Sequence, residues 1–146
     1  MSKGDSGLFG SVKRQQPTIS DIRAKAEDRV RSLIASQSGG KSKAMAVGAY
    51  DVKTGKTVAV FAGPAPTQIH SELIKRADAI GGIGSLGITS KNTVGVCAEF
   101  HAVNSLLNNG ANIADIRLTK PIRPRTGKQM PFCDNCKAMF SDLIDE

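Results

Sequence analysis

Cysteines at positions 97, 133 and 136 are the only thiols in this 146-residue chain, and an acid stands two residues after the first of them. They fall within Cys97-Ala98-Glu99 and Pro131-Phe132-Cys133-Asp134-Asn135-Cys136. Residues of these types suit zinc, which takes tetrahedral sulfur and nitrogen donors; a catalytic site uses three protein ligands and leaves the fourth position to water. A carboxylate two residues from a ligand is close enough to handle the proton of that water without itself binding the metal. Other readings use the same cysteines. A structural clip needs a fourth ligand from His70, His101 or a carboxylate, and neither histidine stands at a finger spacing. A redox C-x-x-C normally opens a helix directly after a strand, whereas residues 121–131 read as a basic, proline-rich loop. Without a metal, Cys97 would serve as a small buried apolar residue.

A Cys or His ligand, a Glu two residues later and a downstream C-x-x-C together form the pattern of zinc-dependent nucleobase deaminases. In that chemistry Cys97, Cys133 and Cys136 hold Zn2+, and Glu99 moves a proton from water to the ring nitrogen and then to the departing ammonia. Three thiolates on one dication leave a net negative centre, so nearby positive charge is expected from helix ends and from Arg123, Arg125 or Lys137. Phe132, directly before a ligand, is placed to stack on a base. Phe61, at the end of an apolar run, and Asn92-Thr93, ahead of Cys97, are placed to read a base edge. Lys120, Arg123, Arg125 and Lys128 put four cations in nine residues, on a loop suited to holding phosphates beside the reacting base. His101 turns away from Glu99 on a helix, and His70 suits a helix cap.

The elements that must position these residues follow from periodicity. Residues 1–17 carry no apolar period and read as a flexible lead-in; residues 18–146 read as one domain. Ile19, Ile22, Ala26, Val30, Leu33 and Ile34 share a helical face behind a Thr18 cap, with Gly39-Gly40 as the stop. Apolar runs at 44–50 and 57–62 flank a turn containing Gly55 and predict a β-hairpin. Ile69, Leu73, Ile74, Ala77 and Ile80 predict a second helix. Phe100, Val103, Leu106 and Leu107 predict a third, starting at Cys97 and ending at Asn108-Asn109-Gly110. Residues 113–119 predict a third strand and residues 120–128 a basic loop. Cys133 then opens a last helix with Ala138, Met139, Leu143 and Ile144 inward. Cys97 and Cys133 thus head two helices, where N–H groups and the helix dipole favour thiolates.

Twenty Lys and Arg against thirteen Asp and Glu give a formal charge of +7, which favours a polyanionic partner such as nucleic acid over a small neutral substrate. Five Phe, one Tyr and no Trp make base-stacking platforms scarce. No run approaches the length of a membrane helix, and the first seventeen residues lack the apolar core of a signal peptide. With all cysteines in one motif there is no disulfide framework, which points to a reducing cytoplasm.

With Cys97-Ala98-Glu99, then His101-Ala102-Val103-Asn104-Ser105-Leu106-Leu107-Asn108 and Pro131-Phe132-Cys133-Asp134-Asn135-Cys136, the chain resembles the cytidine deaminase-like superfamily, within it the YwqJ-like branch of bacterial polymorphic toxin deaminases. The resemblance covers residues 19–140 in element order. It implies an α/β fold, a mixed sheet packed between helices, and zinc-dependent deamination of cytosine in nucleic acid. The implied setting is a toxin module secreted or injected on a larger carrier polypeptide, acting in the target-cell cytoplasm and held off by a cognate immunity protein. Single-stranded DNA is the expected substrate, because an unpaired base is easiest to reach; RNA and free cytidine or nucleotide are the alternatives. Two departures stand out. Phe132 separates Pro131 from Cys133 where the family motif commonly has proline next to cysteine. Only ten residues follow Cys136, so the C-terminal part of the sheet is expected to be short or rearranged.

Overall fold

A computed structural model describes residues 17–88 and 93–144, so Asn92 and the lead-in up to residue 16 lie outside the described residues. Four α-helices and five strands follow in the order α1 (Ile19–Ser36), β1 (Ala46–Asp51), β2 (Thr57–Phe61), α2 (Ser71–Asp78), α3 (Ala98–Asn108), β3 (Ile116–Leu118), β4 (Ile122–Arg123), β5 (Lys128–Gln129) and α4 (Asp134–Phe140).

Local chemistry sets the boundaries. Thr18 Oγ1 accepts from the Asp21 N–H and Asp21 Oδ2 accepts from the Thr18 N–H, at 3.0 and 3.1 Å, a reciprocal capping box that satisfies two otherwise orphaned donors at the start of α1. Ile22, Ala26 and Val30, four apart, are its buried stripe. The β1–β2 turn is built on Asp51, whose Oδ1 accepts from the Lys53 and Thr54 N–H groups, while Gly55 supplies φ +81°.

All pairings between named strands are antiparallel. β1 pairs with β2 on one side and with both β3 and β4 on the other, and β5 extends β4. The register runs Ala49↔Leu118 and then Ala46↔Ile122, so residues 47–48 of β1 face residues 119–121. One extra residue makes a bulge. Thr119 heals it, its N–H donating to the Gly48 carbonyl and its Oγ1 accepting from the Gly48 N–H, both at 2.9 Å.

Strand alternation sorts β1 between two layers. Gly48 and Tyr50 face α1, where a Cβ on Gly48 would stand 3.0 Å from Val30 Cγ2 and 3.1 Å from the Ala26 carbonyl. Glycine therefore lets helix and sheet approach. Val47 and Ala49 face the larger core, shared with Leu73 and Ala77 of α2, Phe100, Val103 and Leu107 of α3, and Met139 and Phe140 of α4. Each large apolar side chain buried there contributes about 1.5–3 kcal/mol. The fold is thus α1, sheet, then the α2, α3 and α4 layer, with both cysteine-bearing segments in the last.

Three expectations need correction. The sheet expected to be mixed is antiparallel throughout its named strands; parallel pairing appears as an isolated bridge between Leu118 and Ile144. The strand expected over 113–119 begins at Ile116, because Asn112 Oδ1 accepts from the Ala114 N–H at 3.0 Å and winds Ile113–Asp115 into a 3-10 turn. The basic stretch expected to be a loop forms the β4–β5 hairpin, closed by Thr126 and by Gly127 at φ +73°.

Candidate metal centre

Cys97 and Cys133 are the N-cap residues of α3 and α4, and Cys136 lies one turn into α4. Position 97 is fixed from both sides. The Gly63 N–H donates to the Val96 carbonyl at 3.0 Å and the Val94 N–H to the Ser85 carbonyl at 2.8 Å, and Phe100 and Val103 anchor the helix beyond. Spacing i, i+3 places Cys133 and Cys136 on one side of α4.

The three Sγ atoms lie within 4.8 Å of one another. Cys97 and Cys133 stand 3.4 Å apart, too far for a disulfide bond of about 2.05 Å, and all three thiols are free. Tetrahedral zinc with Zn–S bonds of about 2.3 Å holds its sulfurs about 3.8 Å apart. The trio therefore fits a tetrahedral ion in donor type and in spacing.

Each of these thiols shifts the ionisation of its neighbours. Hydrogen bonds from the Cys136 thiol first, and then from Cys97, hold Cys133 down at about 2. The Cys136 N–H also donates to its Sγ at 3.4 Å. The bond to Cys133 and burial push Cys97 up to about 12, and the same bond raises Cys136. Three thiols within hydrogen-bonding reach of one another are what a site for a soft cation becomes when protons stand in for metal.

Glu99, in the first turn of α3, is only 4% exposed. Burial pushes its carboxyl up to about 7, partly offset by its own backbone N–H, in the range where a carboxyl both takes and gives protons at neutral pH. With Cys97 and Cys133 it lines a cleft of about 220 Å³ walled by Met45, Ala62, Pro121 and Pro131. The bulge in the sheet includes Pro121 and so shapes this wall.

The other expected contacts are scattered. Phe132 packs partly against the core and lines an adjacent recess of about 350 Å³ with Lys120, Pro131 and Lys137. Pro131 separates this recess from the cleft. Phe61 is half-buried, one residue before the cleft wall at Ala62, with Lys43 Nζ 6.0 Å from its ring centroid. Thr93 is half-buried, four residues before Cys97. Arg125 does not meet the cleft; it lines a recess with Arg31, Ile34 and Ala35 of α1, on the opposite face of the sheet. Arg123 lies on β4 with a buried Nε that has no hydrogen-bond partner. As expected, His70 caps α2, Nδ1 accepting from the Glu72 N–H at 3.1 Å. His101 Nε2 donates to the Gly63 carbonyl at 3.1 Å, tying α3 to the cleft wall.

Two buried asparagines support the site. Asn104 Oδ1 accepts from the His70 N–H at 2.9 Å and its Nδ2 donates to the Gln68 carbonyl at 2.7 Å. Asn135, between the two cysteines of α4, accepts from the Ile88 N–H at 2.9 Å and donates to the Leu86 carbonyl at 3.2 Å. Gly87, at φ +63°, sits against it so closely that a Cβ would lie 2.4 Å from Asn135 Oδ1. Their sequence signal was a polar residue on an otherwise buried helical face.

No match to this chain was found among protein-family models, curated proteins or solved structures.

Proposed function

We propose that this chain is a zinc-dependent deaminase converting cytosine to uracil in nucleic acid, with single-stranded DNA as the preferred substrate. The observation that carries the reading is a cluster of three free thiols, two of which, Cys97 and Cys133, share one cleft with the buried Glu99. A closed structural site takes four protein ligands; here Cys97 and Cys133 border open space with a carboxyl lining the same cleft, and Cys136 is buried next to them.

Cys97, Cys133 and Cys136 would hold the ion, which supplies the Lewis acidity that makes water a nucleophile at neutral pH. Glu99 would take a proton from the attacking water and deliver it to N3 of the base, then carry the proton of the new C4 hydroxyl to the amine, which leaves as ammonia as the C4 carbonyl forms. Its burial among apolar walls keeps bulk water from competing for those protons. Met45, Ala62 and the prolines offer flat apolar surface to a ring, and Phe61 and Phe132 adjoin the wall residues Ala62 and Pro131 in sequence.

The element order, helix–hairpin–helix–helix–strand–hairpin–helix with cysteines heading the third and fourth helices, supports a cytidine deaminase-like architecture ending in the short Leu118–Ile144 bridge. A toxin role, with a secreted carrier polypeptide and a cognate immunity protein as partners, follows from the same resemblance. No helix among the described residues is long and apolar enough to cross a membrane.

Incubating the zinc-loaded protein with single-stranded DNA, duplex DNA, RNA and free cytidine, and scoring ammonia release, tests the reading. Release from single-stranded DNA above the other three supports it, release from cytidine alone replaces the substrate, and release from none refutes it.

A further inference from the structure

The free edge of β2 is bordered by cations along its length. β2 pairs only with β1 among the described strands, and all five of its residues are half-buried, with α1 and α3 packed on the two faces. At the turn end, a recess of about 430 Å³ is bounded by Lys25 and Arg29 of α1, Thr54 and Lys56 of the turn, and Asn109 at the end of α3. Arg29 also borders the next recess, beside Ser32, Ser36 and Ala59 of β2. At the other end Lys43 stands over Phe61, and the following residue, Ala62, lines the cleft of Cys97 and Glu99.

Lys25, Arg29 and Lys56 have no ion-pair partner among the described residues. Asp21 is engaged in the capping box of α1 and Asp28 pairs with Arg31. Lys25 and Arg29 repeat at i, i+4, a like-charge spacing that disfavours the helix, so the fold gains nothing from bringing these cations together. An anion would. From Ala62 to Thr57 is five residue steps, about 17 Å at a strand rise of about 3.4 Å, a span of a few nucleotides of extended single strand. A peptide adding to this edge would meet the charge that guards exposed strands against such pairing.

We propose that the β2 edge is the path of the polynucleotide backbone: Lys25, Arg29 and Lys56 take phosphates a few nucleotides from the base in the cleft, and Phe61 with Lys43 borders the nucleotide next to it. This rests on the nucleic-acid reading above and adds the surface that carries the strand.

The test is fluorescence anisotropy of a labelled deoxycytidine decamer and dinucleotide, from about 50 to about 200 mM salt. The protein is zinc-loaded Glu99→Gln, with and without the triple change Lys25→Ala, Arg29→Ala and Lys56→Ala. Three lost phosphate contacts should flatten the slope of log affinity against log salt by about 2 for the decamer, and leave the too-short dinucleotide unchanged. Unchanged melting temperature and zinc content make that comparison one of binding alone. Equal decamer slopes in both proteins would overturn the edge path and leave the deaminase reading standing. A parent protein that binds no decamer would overturn the nucleic-acid reading as well. Capture of phosphatidylglycerol vesicles that the triple change abolishes, with decamer binding untouched, would assign these cations to a membrane surface and overturn the proposal.

Discussion

Cys97 Sγ and Cys133 Sγ stand 3.4 Å apart across thirty-six residues of chain. Neither hydrophobic burial nor a disulfide explains two half-buried thiols held at that distance with a third, Cys136, in reach. Desolvating three polarizable donors together is repaid when a cation joins them.

Replacing Cys133 by Ala should therefore reduce bound zinc from one per chain to a small fraction after dialysis against a mild chelator. Cys97→Ser and Cys136→Ser should do the same, since a three-ligand site has no spare. Elemental analysis reads the outcome, and retention of one zinc by any of the three would mean that residue is no ligand.

Glu99→Gln removes the proton carrier and keeps the side-chain volume. General acid–base groups are typically worth about 10²–10⁴ in rate, so turnover should fall by that factor while zinc content and far-UV circular dichroism stay at parent values. A rate within about twofold of the parent would remove Glu99 from the chemistry.

Asn135 ties the segment at Leu86 and Ile88 to the cysteine helix. Asn135→Ala leaves the Ile88 N–H and the Leu86 carbonyl without this partner, at a cost of about 1–3 kcal/mol for each group that stays buried. Gly87→Ala should also destabilise, because a Cβ there would lie 2.4 Å from Asn135 Oδ1 on a backbone at φ +63°. Denaturant unfolding of both variants, with and without zinc, reads these losses.

Arg76 joins α2 to the turn after α4, its two Nη atoms donating to the two Asp142 carboxylate oxygens at 2.7 and 2.9 Å and one also to the Met139 carbonyl. The guanidinium holds the Asp142 carboxyl below its ordinary value. Because the folded value is depressed, the pair's stabilisation is present above about pH 4 and disappears as pH falls through the lowered folded value. Asp142 is 57% exposed, so solvent screening keeps the contribution below about 1 kcal/mol. Asp142→Asn should cost that amount at pH 6 and progressively less as pH falls below about 4, measured by urea unfolding.

Local signals were legible in the sequence. Thr18 and Asp21 announce the start of α1, Asp51 and Gly55 the hairpin turn, and the ligand spacing the two helix starts, because each depends on neighbours within a few residues. What escaped depends on distant partners. The bulge at 119–121 exists because Gly48 accepts Thr119 as its partner, seventy-one residues away in sequence. Residues 122–129 carry too little apolar alternation to announce strands, and they pair by joining a sheet edge already formed. Arg123 and Arg125, adjacent to the metal motif in sequence, looked suited to phosphates beside the cleft; pairing along β4 and β5 carries Arg125 to the α1 face instead.

The most direct test is to strip and reload the protein with zinc, treat a single-stranded oligonucleotide containing one cytosine, and read uracil by mass spectrometry. The account predicts a mass gain of about one dalton at that cytosine with the reloaded protein and none with the stripped protein or with reloaded Glu99→Gln. An oligonucleotide left unchanged by protein carrying one zinc per chain would contradict it.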